Sequence, residues 1–432
     1  MKDFFQFTKR NTSYKQEIMA GITTFLSVAY ILVVNPLILS QAGMDRGAVF
    51  TATALTAIVG TLLIGLLANY PIAVAPSMGL NSFFTFSVVI GMGIDWEIAL
   101  TGVFIAGIIF MILSAMKVRE KIIDAIPIHL KNAIAAGIGF FIAFIGLKNA
   151  GIVAGDSDTL ITLGSLTEPM TLLSVFGLVI TIFMMVRGVN GAVFYGIVMT
   201  TIIGMITGYI PLPASIIGSI PSLEPTFGVV FFHLDAVFTP DLLAVIFTFL
   251  FVALFDTAGA LIGLTSQAGI MKNNKIPNIG RALLADSTAG TVGAVLGTST
   301  PATSVESSAG IAAGGRTGFT ALVIAACFGI ALFFSPVLSV ITAEVTAPAL
   351  IIVGGLMAMQ IGNVDWKKIE IAIPAFLTII MMPLTSSVAA GIGIGFITYP
   401  LTLAAKKRWK EIHPLTYVIG LLFILYFAFI AS

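Results

Sequence analysis

Gly297-Thr298-Ser299-Thr300-Pro301-Ala302-Thr303-Ser304-Val305-Glu306 carries one acid in a run of small and hydroxyl residues, and no other charge follows before Arg316. A proline imposes extended geometry on the residue before it and fits the first turn of a following helix. The segment 297–310 therefore predicts a short extended stretch and then a half-helix. A second segment, 71–90, opens Pro71-Ile72-Ala73-Val74-Ala75-Pro76-Ser77-Met78-Gly79-Leu80-Asn81 and reads the same way. Pro76 precedes Asn81 by five residues and Pro301 precedes Glu306 by five, at an offset of 225. The string T-F-L-x-V-A occurs at Thr24–Ala29 and again at Thr248–Ala253, at an offset of 224. Two matches at nearly one offset predict two homologous halves, near 1–210 and 240–404.

The surroundings say where such segments sit. The chain has 432 residues, 58% hydrophobic and 9% charged, with a mean hydropathy of +1.08. A soluble domain carries about 25% charged residues. Apolar stretches long enough to cross a bilayer as helices fall at 18–40, 48–67, 98–116, 130–147, 170–186 and 192–209. A second set falls at 242–264, 282–296, 319–341, 347–361, 369–383, 388–404 and 415–430. With the two interrupted segments this is seven crossings per half, leaving 415–430 over. The fold class is an all-α polytopic membrane protein. Irregular backbone at membrane depth is tolerated only inside protein or beside a cavity, and paired interrupted helices mark a transporter's binding site.

Loop charges set orientation. Basic residues cluster at Lys117, Arg119 and Lys121, at Arg187, at Lys272, Lys275 and Arg281, at Lys367 and Lys368, and at Lys406, Lys407, Arg408 and Lys410. The segments 151–168 (with Asp156, Asp158 and Glu168) and 224–241 are acidic. Basic loops in the cytoplasm place the N-terminus there too and give the halves opposite orientation, as inverted repeats require. The expected location is the inner (cytoplasmic) membrane, multi-pass. The first 17 residues read as a cytoplasmic leader, since they lack the short apolar core of a signal peptide.

Asp256 stands in an otherwise apolar or small-residue stretch with no basic partner nearby in sequence. An ionised carboxylate there is costly unless it is protonated, solvated or holding something. Asp256, Glu306 and Asn81 are the candidate substrate-binding residues, and Asp256 and Glu306 the candidate proton-coupling residues. Each has a plainer reading: an end cap for Glu306 and Asn81, a hydrogen bond to a hydroxyl on another helix for Asp256. Asp286, five residues after Arg281, reads as interfacial. Phe25, Tyr30, Phe83, Phe84 and Phe255 could stack on a flat ligand, although packing is the plainer role for any one of 33 phenylalanines. No Lys or Arg is expected in the core of a span, which favours a ligand offering N–H donors, a cation or a proton. A helix N-terminus favours the anion at Glu306, so Glu306 suits a ligand acceptor. Asp256, without that help, suits a proton carrier.

Catalysis and metal binding find little support. Cys327 is the lone cysteine, and His129, His233 and His413 fall at span ends or in loops. HExxH, GxSxG and Walker A motifs do not occur. The reading is therefore not an enzyme, with no catalytic residues, no metal, and no cofactor besides a proton gradient.

At these residues the chain resembles the AzgA-like purine permeases, within the nucleobase–cation symporters, and among them the bacterial guanine/hypoxanthine permeases. The strings are Gly21–Pro36 (GITTFLSVAYILVVNP), Ala75–Asn81 (APSMGLN), Phe255–Gly259 (FDTAG), Ala285–Ser287 (ADS), Gly297–Thr300 (GTST), Val305–Gly310 (VESSAG) and Thr346–Leu350 (TAPAL). The resemblance implies fourteen segments in two inverted repeats of seven, segments 3 and 10 being part strand and part helix. It implies a core domain at 1–121 and 241–341, and a gate domain at 122–240 and 342–432. It places substrate contacts on segments 3, 8 and 10, matching Asn81, Asp256 and Glu306. It further implies proton symport of a purine nucleobase (guanine or hypoxanthine, with adenine in range) and a homodimer through the gate domain, with no nucleic-acid partner. A carboxylate facing the N1–H and amino edge of guanine makes charge-assisted hydrogen bonds, roughly twice as strong as neutral ones. Alternatives on the same fold are a xanthine or uracil carrier and a small-anion carrier. A membrane-embedded enzyme and a channel are further alternatives, with less behind them in the sequence.

Overall fold

The structure is a computed structural model that describes residues 2–116, 127–156, 160–235, 239–271 and 276–429. Of the loop charges above, Lys117, Arg119, Lys121, Asp158, Lys272 and Lys275 lie outside the described residues. Among the described residues, eight helical stretches are long and apolar enough to cross a bilayer by length and composition.

The first crossing is expected as one helix but comes in two pieces, α1 (Tyr14–Val28) and α2 (Ile31–Ser40). Pro36 inside α2 cannot donate to the carbonyl of Leu32, and proline rings crowd the preceding turn. The backbone tightens at the break, with Leu32 N donating to Ala29 O at 3.1 Å and Val33 N to Tyr30 O at 3.1 Å. Next come α3 (Arg46–Leu67), capped by Asp45 on Ala48 N–H at 2.8 Å, then strand β1 (Val74–Pro76) and half-helix α4 (Met78–Ser82). The latter runs on as a π-helix over Phe83–Gly91, which the sequence reading does not anticipate. The first half continues with α5 (Trp96–Ala115) and α6 (Ile128–Asn149). A hairpin, β2 (Val153–Asp156) with β3 (Leu160–Leu163), follows in the acidic linker. Two helices close the half, α7 (Pro169–Val186) and α8 (Ala192–Ile206).

The second half repeats the pattern. Its elements are α9 (Pro240–Gln267), α10 (Ile279–Leu296), β4 (Pro301–Thr303), half-helix α11 (Ser307–Ala312) and α12 (Gly318–Ala331). Then come α13 (Ala343–Ala358), α14 (Ile369–Thr385) and α15 (Val388–Ala405). Ser386, with φ of 51°, turns the chain through the left-handed region between α14 and α15, so these are two helices. The leftover segment is a separate helix, α16 (Pro414–Phe429), packed on α15.

β1 and β4 pair antiparallel, with Val74 opposite Thr303, Ala75 opposite Ala302 and Pro76 opposite Pro301. The two prolines are each other's counterparts at the offset of 225. Equivalent residues of two repeats can face each other in an antiparallel pair only where a two-fold axis passes between them. The register thus supplies the axis that relates the halves, and it crosses the molecule where both helices are interrupted.

The helices pack in two groups. α10 lies against α3 and α5, α12 against α3 and α1, α11 against α1, and α9 against α5. Elsewhere α6 packs on α13 and α14, and α7 on α8 and α13. Gly139 of α6 and Gly354 of α13 meet at their crossing, where a Cβ on either would lie 2.5 Å from the other's carbonyl oxygen. Small residues at crossings let membrane helices approach, which is where their packing energy comes from.

Candidate functional site

The paired strands carry the start of each half-helix to one place beside α9. Ser77, the residue between β1 and α4, donates its hydroxyl to Asp256 Oδ2 at 2.5 Å. Asp256 lies midway along α9 and is half-buried, as is Glu306. Glu306 is the residue immediately before α11, and its Oε1 accepts from Tyr30 Oη at 2.7 Å. Tyr30 sits at the break between α1 and α2 and lies within electrostatic reach of both acids, which also sense each other. One hydroxyl thus serves each carboxylate, and no cationic side chain is paired with either among the described residues.

Asn81 is fully buried, in α4. Its amide N–H donates to Asn35 Oδ1, and its Oδ1 accepts from Ser299. Asn35 in turn donates to Thr53 Oγ1 at 2.7 Å and to Thr298 Oγ1 at 2.9 Å. This network ties α2, α3 and α4 to the strand approach of the second half. The structure therefore brings Asp256 and Glu306 together and seats Asn81 in a neighbouring polar lattice.

The aromatic candidates separate. The hydroxyl of Tyr30 is engaged with Glu306. Phe83 and Phe84 are buried against Phe249, with ring centroids 4.9 and 6.4 Å away. Phe25 meets Phe328 edge-on at 5.2 Å and lines an apolar crevice of about 520 Å³ beside α8 and α12. The side chain of Phe255 lies outside the described residues.

Asp286 corrects the reading of an interfacial acid. It is 5% exposed, two turns into α10, and its Oδ2 accepts from Thr257 Oγ1 at 3.0 Å. Thr257 neighbours Asp256 in the chain, and the charge of Asp286 reaches Asp256. The neighbouring Arg281 made the position look like a membrane edge. The better signal was a single acid amid Ala, Gly, Ser and Thr, the same context that singled out Glu306. Ser77 had no signal of its own, being one hydroxyl among many.

Interrupted helices crossing at a two-fold axis, with two half-buried acids at the crossing, define a polytopic membrane transport protein. The chain belongs to the Permease family (Xan_ur_permease), whose profile matches residues 15–394. It is similar to the guanine/hypoxanthine permease PbuG of Bacillus subtilis, 55% identical with 100% of each chain covered. It is 39% identical to the adenine permease AdeP of Escherichia coli, covering 99% of this chain and 95% of that one. Among solved structures, the transmembrane domain of the cyanobacterial bicarbonate transporter BicA superposes with a TM-score of 0.65 at 17% identity, covering 89% of this chain and 97% of that one. Murine Slc26a9, an anion transporter, superposes at 0.64 with 12% identity, covering 91% of this chain and 69% of that one. At such identity these two structures share the fold alone.

Proposed function

We propose that the protein is a proton-coupled secondary transporter that imports purine nucleobases, guanine and hypoxanthine first and adenine within range, across the cytoplasmic membrane. The observation that carries this reading is the pair Asp256 and Glu306, served by neutral hydroxyls at the crossing of two interrupted helices. Two acids without a cation suit a heterocycle that presents N–H donors, because charge-assisted hydrogen bonds form only to a donor edge. The named activities of the relatives, guanine/hypoxanthine and adenine permeases, support the same substrate class. In this reading Glu306 accepts from the base and Asp256 carries the proton. The core (1–121 and 241–341) moves against the gate (122–240 and 342–432), and the gate forms the homodimer contact.

The test is uptake of labelled guanine, hypoxanthine, adenine, xanthine, uracil and sulfate in permease-deficient cells, with and without a protonophore. The expected result is purine uptake that the protonophore abolishes. Sulfate uptake would return the chain to the anion carriers, and purine uptake indifferent to the gradient would make it a uniporter or channel.

A further inference from the structure

Glu17, in the first turn of α1, is completely buried. Both its oxygens are used. Oε1 accepts from Thr12 Oγ1 at 2.8 Å and from Arg316 N at 3.1 Å. Oε2 accepts from Thr317 N at 3.2 Å and from Thr320 Oγ1 at 2.5 Å. Three of these four donors belong to the turn that follows half-helix α11 and to the start of α12. The same turn closes the half-helix: Arg316 Nη1 donates to Ile311 O at 2.7 Å and to Gly315 O at 2.8 Å. A cation on the last carbonyls of a helix satisfies its orphan acceptors and complements its dipole.

The N-terminal segment reinforces the turn from outside. Arg10 Nη1 donates to Asn69 O at 2.8 Å and to Arg316 O at 2.7 Å. Asn69 in turn accepts from Gly318 N at 2.7 Å and donates to Phe5 O at 3.1 Å. The rings of Phe5, Phe7 and Tyr14 surround Phe319 edge-on, with centroids 5.2 to 5.8 Å away.

Helix α1 is therefore tied to α11 at both ends. At its start Glu17 holds the turn after α11; past its end Tyr30 holds Glu306, the residue before α11. Between them the two helices are in close contact, since a Cβ on Gly310 would lie 2.5 Å from Ala20 O and collide with Thr24. A six-residue helix has too few internal bonds to hold its own place, so its ends decide where Glu306 stands.

We infer that Glu17 is a positioning residue for the transport site: by clamping the turn after α11 it sets the place of Glu306 relative to Tyr30 and Asp256. The inference rests on Glu306 contacting the substrate, as proposed above. Losing the carboxylate leaves buried N–H groups of the turn without their acceptor, which frees α11 to shift and fray. Substrate binding weakens as a consequence, while the rate at which the loaded carrier turns over changes less.

The test uses the full chain in lipid nanodiscs and liposomes, comparing wild type with Glu17→Gln and Thr320→Val. Hydrogen exchange over 307–317 should quicken by roughly tenfold in Glu17→Gln, as expected for local opening, and α13 should keep its wild-type protection. The KM for labelled hypoxanthine should rise by about tenfold with maximal rate within about twofold, the pattern of lost binding. Thr320→Val removes one of the four donors and should move both quantities less, in the same direction, which covers the case that Glu17→Gln fails to fold. Unchanged exchange over 307–317 in the folded variants would overturn the clamp. Faster exchange with an unchanged KM would overturn its role at the site. Glu306→Gln is assayed in parallel: full hypoxanthine uptake by that variant, with exchange still raised in Glu17→Gln, would overturn the substrate reading of Glu306 and leave the clamp a feature of the fold only.

Discussion

Ser77 and Asp256 are joined by a 2.5 Å hydrogen bond although 179 residues separate them. One belongs to the interrupted segment of the first half and the other to the first long helix of the second. The bond fixes which way the Asp256 carboxylate faces. Ser77→Ala removes the donor, and hydrogen bonds to charged groups contribute about 1.5–3 kcal/mol. Hypoxanthine uptake should fall by roughly ten- to a hundredfold in kcat/KM, and Ser77→Thr, which keeps the hydroxyl, should recover most of it. Equal uptake by wild type and Ser77→Ala would separate Asp256 from the transport cycle.

Asp256→Asn and Glu306→Gln should fail differently. The amide at Asp256 cannot carry a proton, so gradient-driven accumulation should vanish while exchange of internal for external hypoxanthine persists. On the proposed reading, the amide at Glu306 forfeits a charge-assisted bond to the base, so KM should rise by about tenfold or more. Accumulation and counterflow assays on the two variants check this. Intact pH-driven accumulation in Asp256→Asn would remove the proton-carrier role.

Asn81 allows a structural and a ligand role to be told apart. Its amide is held by Asn35 and Ser299, so Asn81→Ala and Asn35→Ala strip the same buried network. Each unpaired buried group costs about 1–3 kcal/mol. Both variants should lower the thermal unfolding midpoint in detergent by a similar amount. A higher KM in Asn81→Ala at an unchanged midpoint would make it a direct ligand instead.

The crossing of α6 and α13 tests the packing. Gly354→Val places atoms against the carbonyl of Gly139, and overpacking costs about 1–3 kcal/mol. The variant should give less folded protein and a lower unfolding midpoint by scanning fluorimetry. Gly355→Val, one residue on and with open space where its Cβ would point, should behave close to wild type.

Much of this architecture is legible without coordinates because a bilayer leaves the backbone few choices. Hydrophobic length marks each helix, and a proline with small residues inside such a length marks an interruption. The ends of the expected spans 369–383 and 388–404 lie within two residues of α14 and α15. The pairing of Pro76 with Pro301 follows the offset that the two strings already carry. The break at Tyr30 was visible only as Pro36, whose effect falls upstream of itself. The π-helical stretch after Ser82 has no mark in the sequence.

The chain's own order of residues determined that one acid, Asp256, stands in a long apolar helix and the other, Glu306, at an interruption, where charge is costly. Which hydroxyl meets which acid, that Asp286 is buried against Thr257, and that Glu17 anchors the turn behind Glu306 were decided by tertiary structure. The reason is distance. Ser77 with Asp256, Tyr30 with Glu306 and Glu17 with Thr317 join partners 179 to 300 residues apart. A local pattern records the length and polarity of each segment, but not the face it turns toward another once the two-fold axis brings them together.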